Sequence, residues 1–184
     1  MRNKVAVVVG HTKLRKGACS EYLPCEWDFN NVIADELAEE VDVYHYGSYN
    51  LGYTQMVKAS ARETDRYDYK LVLELHYNAA SPAANGCEAL YYFKNKNARA
   101  ISEAFTAKYV RSIGGADRGA KALYSPKQRG FAAVYYRRPT TLILEPFFGT
   151  NYGDVERYLR VGPQGYADVI RDTIEFAETL LGPL

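Results

Sequence analysis

The chain has 184 residues, 47% hydrophobic, 24% charged and 14% aromatic, which excludes a disordered, collagenous or coiled-coil protein. Twenty-three Lys and Arg against 22 Asp and Glu leave a net charge of +1, so neither a nucleic-acid-binding face nor an acidic tail is advertised. No apolar run approaches the ~18 residues that a membrane helix needs, and Met1-Arg2-Asn3-Lys4 followed by Val5 to Val9 is too short and too β-branched for a secretory signal.

Val5 to Val9 reads as a strand buried on both faces, stopped by Gly10. After an irregular stretch to Cys25, apolar residues recur at Phe29, Ile33, Leu37 and Val41 with Asp35, Glu36, Glu39 and Glu40 between them, an amphipathic helix over Trp27 to Val41. Asp42 to Tyr46 is a short strand, and the turn-rich Gly47 to Thr54 leads to a helix from about Gln55 to Arg66. Lys70 to Leu75 is a strongly apolar strand ending at His76, followed by a loop, YNAASPAANG. Cys87 to Phe93 is strand-like, and Asn97 to Ile113 has helical spacing that ends at Gly114-Gly115. The basic segment from Arg118 to Arg138 is expected to be mostly irregular, with Lys121, Lys127, Arg129, Arg137 and Arg138 on a solvated surface; attraction to an anionic envelope is the alternative. Thr140 to Leu144 is a β-branched strand ending at Glu145, and Gly165 to Leu181 is a closing helix. Strands alternating with helices indicate an α/β fold, a twisted mixed or parallel central sheet flanked by helices on both faces, with residues 1–184 as a single domain. A monomer is the default.

In an open α/β sheet, ligands sit beyond the carboxyl ends of the strands. Three of these strands deliver a chemically capable residue there: His11, His76 and Glu145. Two imidazoles and one carboxylate make the ligand set of a catalytic zinc that keeps a position open for water. Glu26, at the start of the first helix, fits as the missing carboxylate, with Glu21 its competitor in the same loop. Glu145 is then free for general acid–base work. His45, the third histidine, reads as a packing or surface residue, and Asn78 and Tyr77, beside the second His, are candidate substrate contacts. Three Cys cannot all pair, so no disulfide framework is expected; Cys19 and Cys25 read as loop or small apolar residues and Cys87 as core.

These residues carry a resemblance. GHT after the first strand, CEWDFN around Glu26, ELHYNAA around His76 and TLILEPFFGTN around Glu145 resemble, in this order, the zinc-dependent N-acetylmuramoyl-L-alanine amidases, and more closely the amidase domains of phage endolysins. GCEALYYF and ADRGAKAL add to the match, which runs to about Asn151. The resemblance implies that His11, Glu26 and His76 bind Zn2+ and that Glu145 is general base and acid. It also implies cleavage of the amide between N-acetylmuramic acid and L-alanine in peptidoglycan. A phage or prophage lysis enzyme would be made in the host cytoplasm without a signal peptide and reach the wall after release by another factor. The chain departs from the family at GHTKLRKGACSEY, where members commonly carry GHGG and then Asp-Pro-Gly, and at Glu74, where many have Ser. Two competing readings are another zinc amidohydrolase or carboxypeptidase on the same scaffold and a non-catalytic peptidoglycan-binding module.

Overall fold

A computed structural model describes residues 4–47 and 52–184. Residues 48–51 of the expected turn-rich stretch, and the first three residues of the N-terminal segment, lie outside the described residues. The strands β1 (Val5–Val9), β2 (Asp42–His45), β3 (Leu71–Leu75), β4 (Cys87–Tyr92), β5 (Asp117–Leu123) and β6 (Thr140–Glu145) form one sheet in the order β2-β1-β3-β6-β4-β5. β1 is parallel to β2 and β3, and β3 to β6. β4 runs antiparallel to β6, and β5 follows it in parallel, so the sheet is mixed.

The period of two along each central strand sorts side chains between two cores. Val5, Val7 and Val9 of β1 and Leu71, Leu73 and Leu75 of β3 face the larger core, together with Leu142 and Leu144 of β6. It is covered by α1 (Glu26–Leu37), α3 (Lys96–Ser112) and α5 (Tyr152–Leu181) through Phe29, Ile33, Leu37, Ile101, Phe105, Tyr166 and Ile170. Ala6, Val8, Val72 and Ile143 face the smaller core, under α2 (Tyr53–Thr64) and α4 (Phe131–Tyr136). Both faces are covered, which is why β1 and β3 read as unbroken apolar runs. α5 bends at Gly162, whose φ of 67° leaves the helical region just before Pro163 restarts it.

The basic segment differs from its expectation. It contains β5 and α4. β5 is an edge strand, mostly exposed apart from Leu123, so no apolar alternation marks it in the sequence. Arg137 is not a surface cation: it is 5% exposed.

The loop from Gly10 to Cys25 folds back on the start of α1. Glu26 N donates to Ala18 O (2.9 Å) and Trp27 N to Lys16 O (2.9 Å), and this local pairing brings Cys19 and Cys25 together in a disulfide. The expectation of two unpaired cysteines is corrected here. Their spacing resembles no structural zinc pair, and only the chain reversal at 16–27 puts them side by side. Cys87 is free and buried, as expected for a core residue.

Closing so short a loop stabilises the fold by about 2 kcal/mol on the chain-entropy model. Replacing both Cys19 and Cys25 by Ser should lower the melting temperature by several degrees, and dithiothreitol should then have no further effect on the variant while lowering that of the unaltered protein. Calorimetry with and without reductant checks this.

Candidate active site

β1 and β3 are adjacent and parallel, so both run out at the same edge, and the residues just past their ends become neighbours. His11 follows β1 with a φ of 65°, a left-handed conformation unusual for a residue other than glycine and one that concentrates at functional sites. His76 follows β3, its backbone N–H donating to Leu144 O (3.1 Å), which brings it against the end of β6. The two imidazoles meet edge to face, ring centroids 4.8 Å apart. Two glycines let them seat. A Cβ on Gly10 would lie 2.5 Å from His76 Nε2, and one on Gly17 would strike the His11 ring.

Glu26 opens α1 and completes the cluster. Its Oε2 lies 3.1 Å from His11 Nε2 and 3.0 Å from His76 Nδ1, while Oε1 accepts from Ala18 N (2.8 Å). One ligand atom from each of His11, Glu26 and His76 lies within 4.8 Å of the others. The two shorter separations are close to the ~3.4 Å edge of a tetrahedron with bonds of ~2.1 Å. Two imidazole nitrogens and a carboxylate oxygen converging on one point therefore fit a divalent zinc-like cation. The structure brings together all three expected ligands; Glu21 is exposed and outside the cluster.

The electrostatics agree. Burial pushes the Glu26 carboxyl up, but the hydrogen bonds and charges of His11 and His76 outweigh it and hold it at about 2. Burial works against a charged His76, yet its hydrogen bonds to Glu26 and Glu74 carry its pKa well above the ordinary imidazole value. A cation held there would compete with protons for the same nitrogen and oxygen atoms.

Glu145 ends β6 on the neighbouring strand. Burial pushes its carboxyl up, His76 opposes the rise, and Glu26, Glu88 and Glu74 add to it, for a value of about 8. Its Oε2 is buried with no hydrogen-bond partner among the described residues. Glu88 stands opposite it in the sheet register, paired with Arg118 (2.6 Å) and accepting from Asn78 Nδ2 (2.8 Å). Of the two facing acids, Glu88 has a guanidinium partner and Glu145 keeps Oε2 unpaired among the described residues.

The two candidate substrate contacts sit differently. Asn78 is partly buried and braces Glu88 at the rim. Tyr77 is 2% exposed, and its hydroxyl donates to Ala18 O (2.8 Å) and Pro24 O (3.0 Å). A ring buried beneath the loop fastens the backbone on either side of the disulfide and offers no face to a substrate. His45 is exposed and hydrogen-bonded to Asn31 (2.7 Å), apart from the cluster, in keeping with a packing or surface role.

Sequence reasoning missed the partners behind His76. Glu74, fully buried, receives His76 Nε2 on one oxygen and Tyr46 and Arg137 on the other. The signal was present: a lone acid inside so apolar a strand requires a buried cation, and the nearest basic run had been assigned to solvent.

The fold is similar to that of the catalytic domain of the CD27L endolysin targeting Clostridia difficile (24% identity, 94% of this chain and 96% of that chain covered, TM-score 0.77). It is similar to an N-acetylmuramoyl-L-alanine amidase from Clostridium difficile 630 (17% identity, 99% of each chain, TM-score 0.77). It is also similar to the catalytic domain of CwlV, an N-acetylmuramoyl-L-alanine amidase from Bacillus (Paenibacillus) polymyxa var. colistinus (21% identity, 98% of each chain, TM-score 0.70). No curated protein matches. The family model described as N-acetylmuramoyl-L-alanine amidase matches residues 5–166, a span that holds His11, Glu26, His76 and Glu145. The chain belongs to the N-acetylmuramoyl-L-alanine amidase family.

Proposed function

We propose that this protein is a zinc-dependent amidase that hydrolyses the bond between the lactyl group of N-acetylmuramic acid and L-alanine in peptidoglycan, acting on the cell wall as a phage or prophage lysis enzyme. The observation that carries the reading is the convergence of His11, Glu26 and His76 beside an acid, Glu145, whose buried Oε2 has no hydrogen-bond partner among the described residues. Family membership and the fold shared with an endolysin catalytic domain support the substrate and the lytic setting.

His11, Glu26 and His76 would hold the ion, each already aimed by its own element. Bound there, zinc supplies a Lewis acid for the scissile carbonyl and lowers the pKa of its water to ~7. Glu145 takes the proton from the attacking water on its free Oε2 and returns it to the departing L-alanine nitrogen. A carboxyl at about 8 in the metal-free protein is drawn down by a nearby dication, towards a value suited to accepting and releasing a proton near neutrality. Glu26 remains ionised throughout and Ala18 N–H holds its second oxygen, so its orientation does not change as the proton moves.

Purified peptidoglycan should yield new amino termini at L-alanine and no new reducing sugar ends, with activity lost to a chelator and restored by zinc. Release of reducing ends instead would reject the reading. Glu145→Gln should keep its bound zinc, measured by metal analysis, and lose ~10²–10⁴-fold in turnover.

The same residue sets a pH dependence of stability in the metal-free protein. Glu145 is raised when folded, so between its unfolded pKa, near 4.5, and about 8 the unfolded chain releases a proton that the folded chain keeps. Stability therefore falls as pH rises through that window. Metal-stripped Glu145→Gln should melt higher than the metal-stripped unaltered protein at pH 8 and close to it at pH 4.5, by calorimetry at the two pH values.

A further inference from the structure

The side of His76 that faces away from Glu26 meets a buried charged assembly drawn from four elements. Glu74 lies on the α2/α4 face of β3, completely buried. Its Oε1 accepts from His76 Nε2 (3.1 Å). Its Oε2 accepts from the Tyr46 hydroxyl (2.7 Å) and from Arg137 Nη1 (3.0 Å). Arg137, just past α4, is held in turn: Nη1 donates to Ala133 O (3.0 Å), and Nη2 to the Tyr46 oxygen (3.0 Å) and Ser60 Oγ of α2 (3.2 Å). Neither the Glu74 nor the Arg137 side chain reaches solvent.

We propose that Glu74, fixed by Arg137 and Tyr46, is the positioning residue that keeps hydrogen on His76 Nε2 and so makes Nδ1 the metal-binding atom. The inference rests on the metal reading given above. Its logic is one of inventory. An ionised carboxylate only accepts, so a nitrogen held against it must carry hydrogen. Nε2 is committed to Glu74, and the remaining nitrogen, Nδ1, is the one that faces Glu26 at 3.0 Å. A cation held by Glu26 therefore meets Nδ1, since the Glu74 side of the ring is closed by protein. Gly10 permits this packing, because a Cβ there would lie 2.5 Å from Nε2.

Stability alone is a poor explanation for such an assembly. A buried ion pair replaced by well-packed apolar residues is often neutral or stabilising, whereas an outer partner on a ligating imidazole typically matters by 10–100-fold in metal affinity. The two roles therefore predict opposite results for an apolar replacement of the pair.

The experiment has two arms. First, nitrogen NMR of the zinc-loaded protein labelled with 15N-histidine should show His76 protonated at Nε2 and metal-bound at Nδ1. Zinc on Nε2 would overturn the inference while leaving the metal reading intact, and failure of the unaltered protein to take up zinc would overturn both. Second, zinc affinity is measured by chelator competition for two double variants, with melting temperature as the control for folding. Glu74→Met with Arg137→Met should melt near the unaltered protein and bind zinc about 10–100-fold more weakly. Glu74→Gln with Arg137→Met keeps an acceptor for Nε2–H and an amide that donates to Tyr46, and should recover most of that loss. Unchanged zinc affinity in the Met pair, or no recovery with Gln, would overturn the inference. Should the Met pair fail to fold, the NMR result on the unaltered protein decides.

Discussion

The Glu26 carboxylate holds one oxygen against two imidazoles and the other against the Ala18 amide, and the rest of the site is arranged around that grip. The carboxylate joins the loop, α1 and the ends of β1 and β3 at one point. It can do so only because β1 and β3 are parallel neighbours, so that His11 and His76 emerge on the same side of the sheet. A buried carboxylate without such partners would take up a proton. Here the imidazoles keep it ionised, and it keeps them in place.

Around this point the charge is unevenly matched. Glu26, Glu74, Glu88 and Glu145 gather near the strand ends, while Arg137 answers Glu74 and Arg118 answers Glu88. Glu26 is left to the histidines, and Glu145 has only the charge of His76 to offset its acidic neighbours. An excess of acid in a largely desolvated place is unfavourable on its own and would become favourable with a dication bound, which would link folding to metal uptake. The two cores contribute separately. The larger one seats α1 and with it Glu26, through Phe29 and Ile33, and the smaller one seats α2 and α4; Arg137, just past α4, reaches Glu74 and is held in turn by Ser60 of α2.

The parts of this arrangement that were legible in the sequence are those written into short-range patterns. Val5 to Val9, Leu71 to Leu75 and Thr140 to Leu144 are apolar and β-branched enough to declare strands, and a histidine or glutamate immediately after each declares an edge with chemistry. Glu26 was legible from the helix that follows it. What escaped depends on long-range contacts. β5 is an edge strand without alternation, and the Cys19–Cys25 bond needs the backbone pairing of residues 16–18 with 26–27. Arg137 lies in a run of cations whose members are mostly exposed, and only its packing against Glu74, 63 positions earlier, takes it inside. Tyr77 neighbours a ligand in sequence, but strand geometry turns it to the opposite side, into the larger core.

The reversal of direction between β6 and β4 has a consequence for how such a protein can diversify. Because β4 begins at the edge where β3 ends, the ten or so residues joining them stay on that edge, and they are tied to the segment after β6 by the bridge between Asn78 and Phe148, by Ala80 N on Thr150 Oγ1 and by Asn151 Nδ2 on Pro82 O. Lengthening or recomposing the part of that connection beyond Asn78 would change the surroundings of the cluster while His11, Glu26, His76 and Glu145, set by β1, α1, β3 and β6, kept their places. The cluster and its rim are thus built from separable stretches of polypeptide, and one can drift without the other.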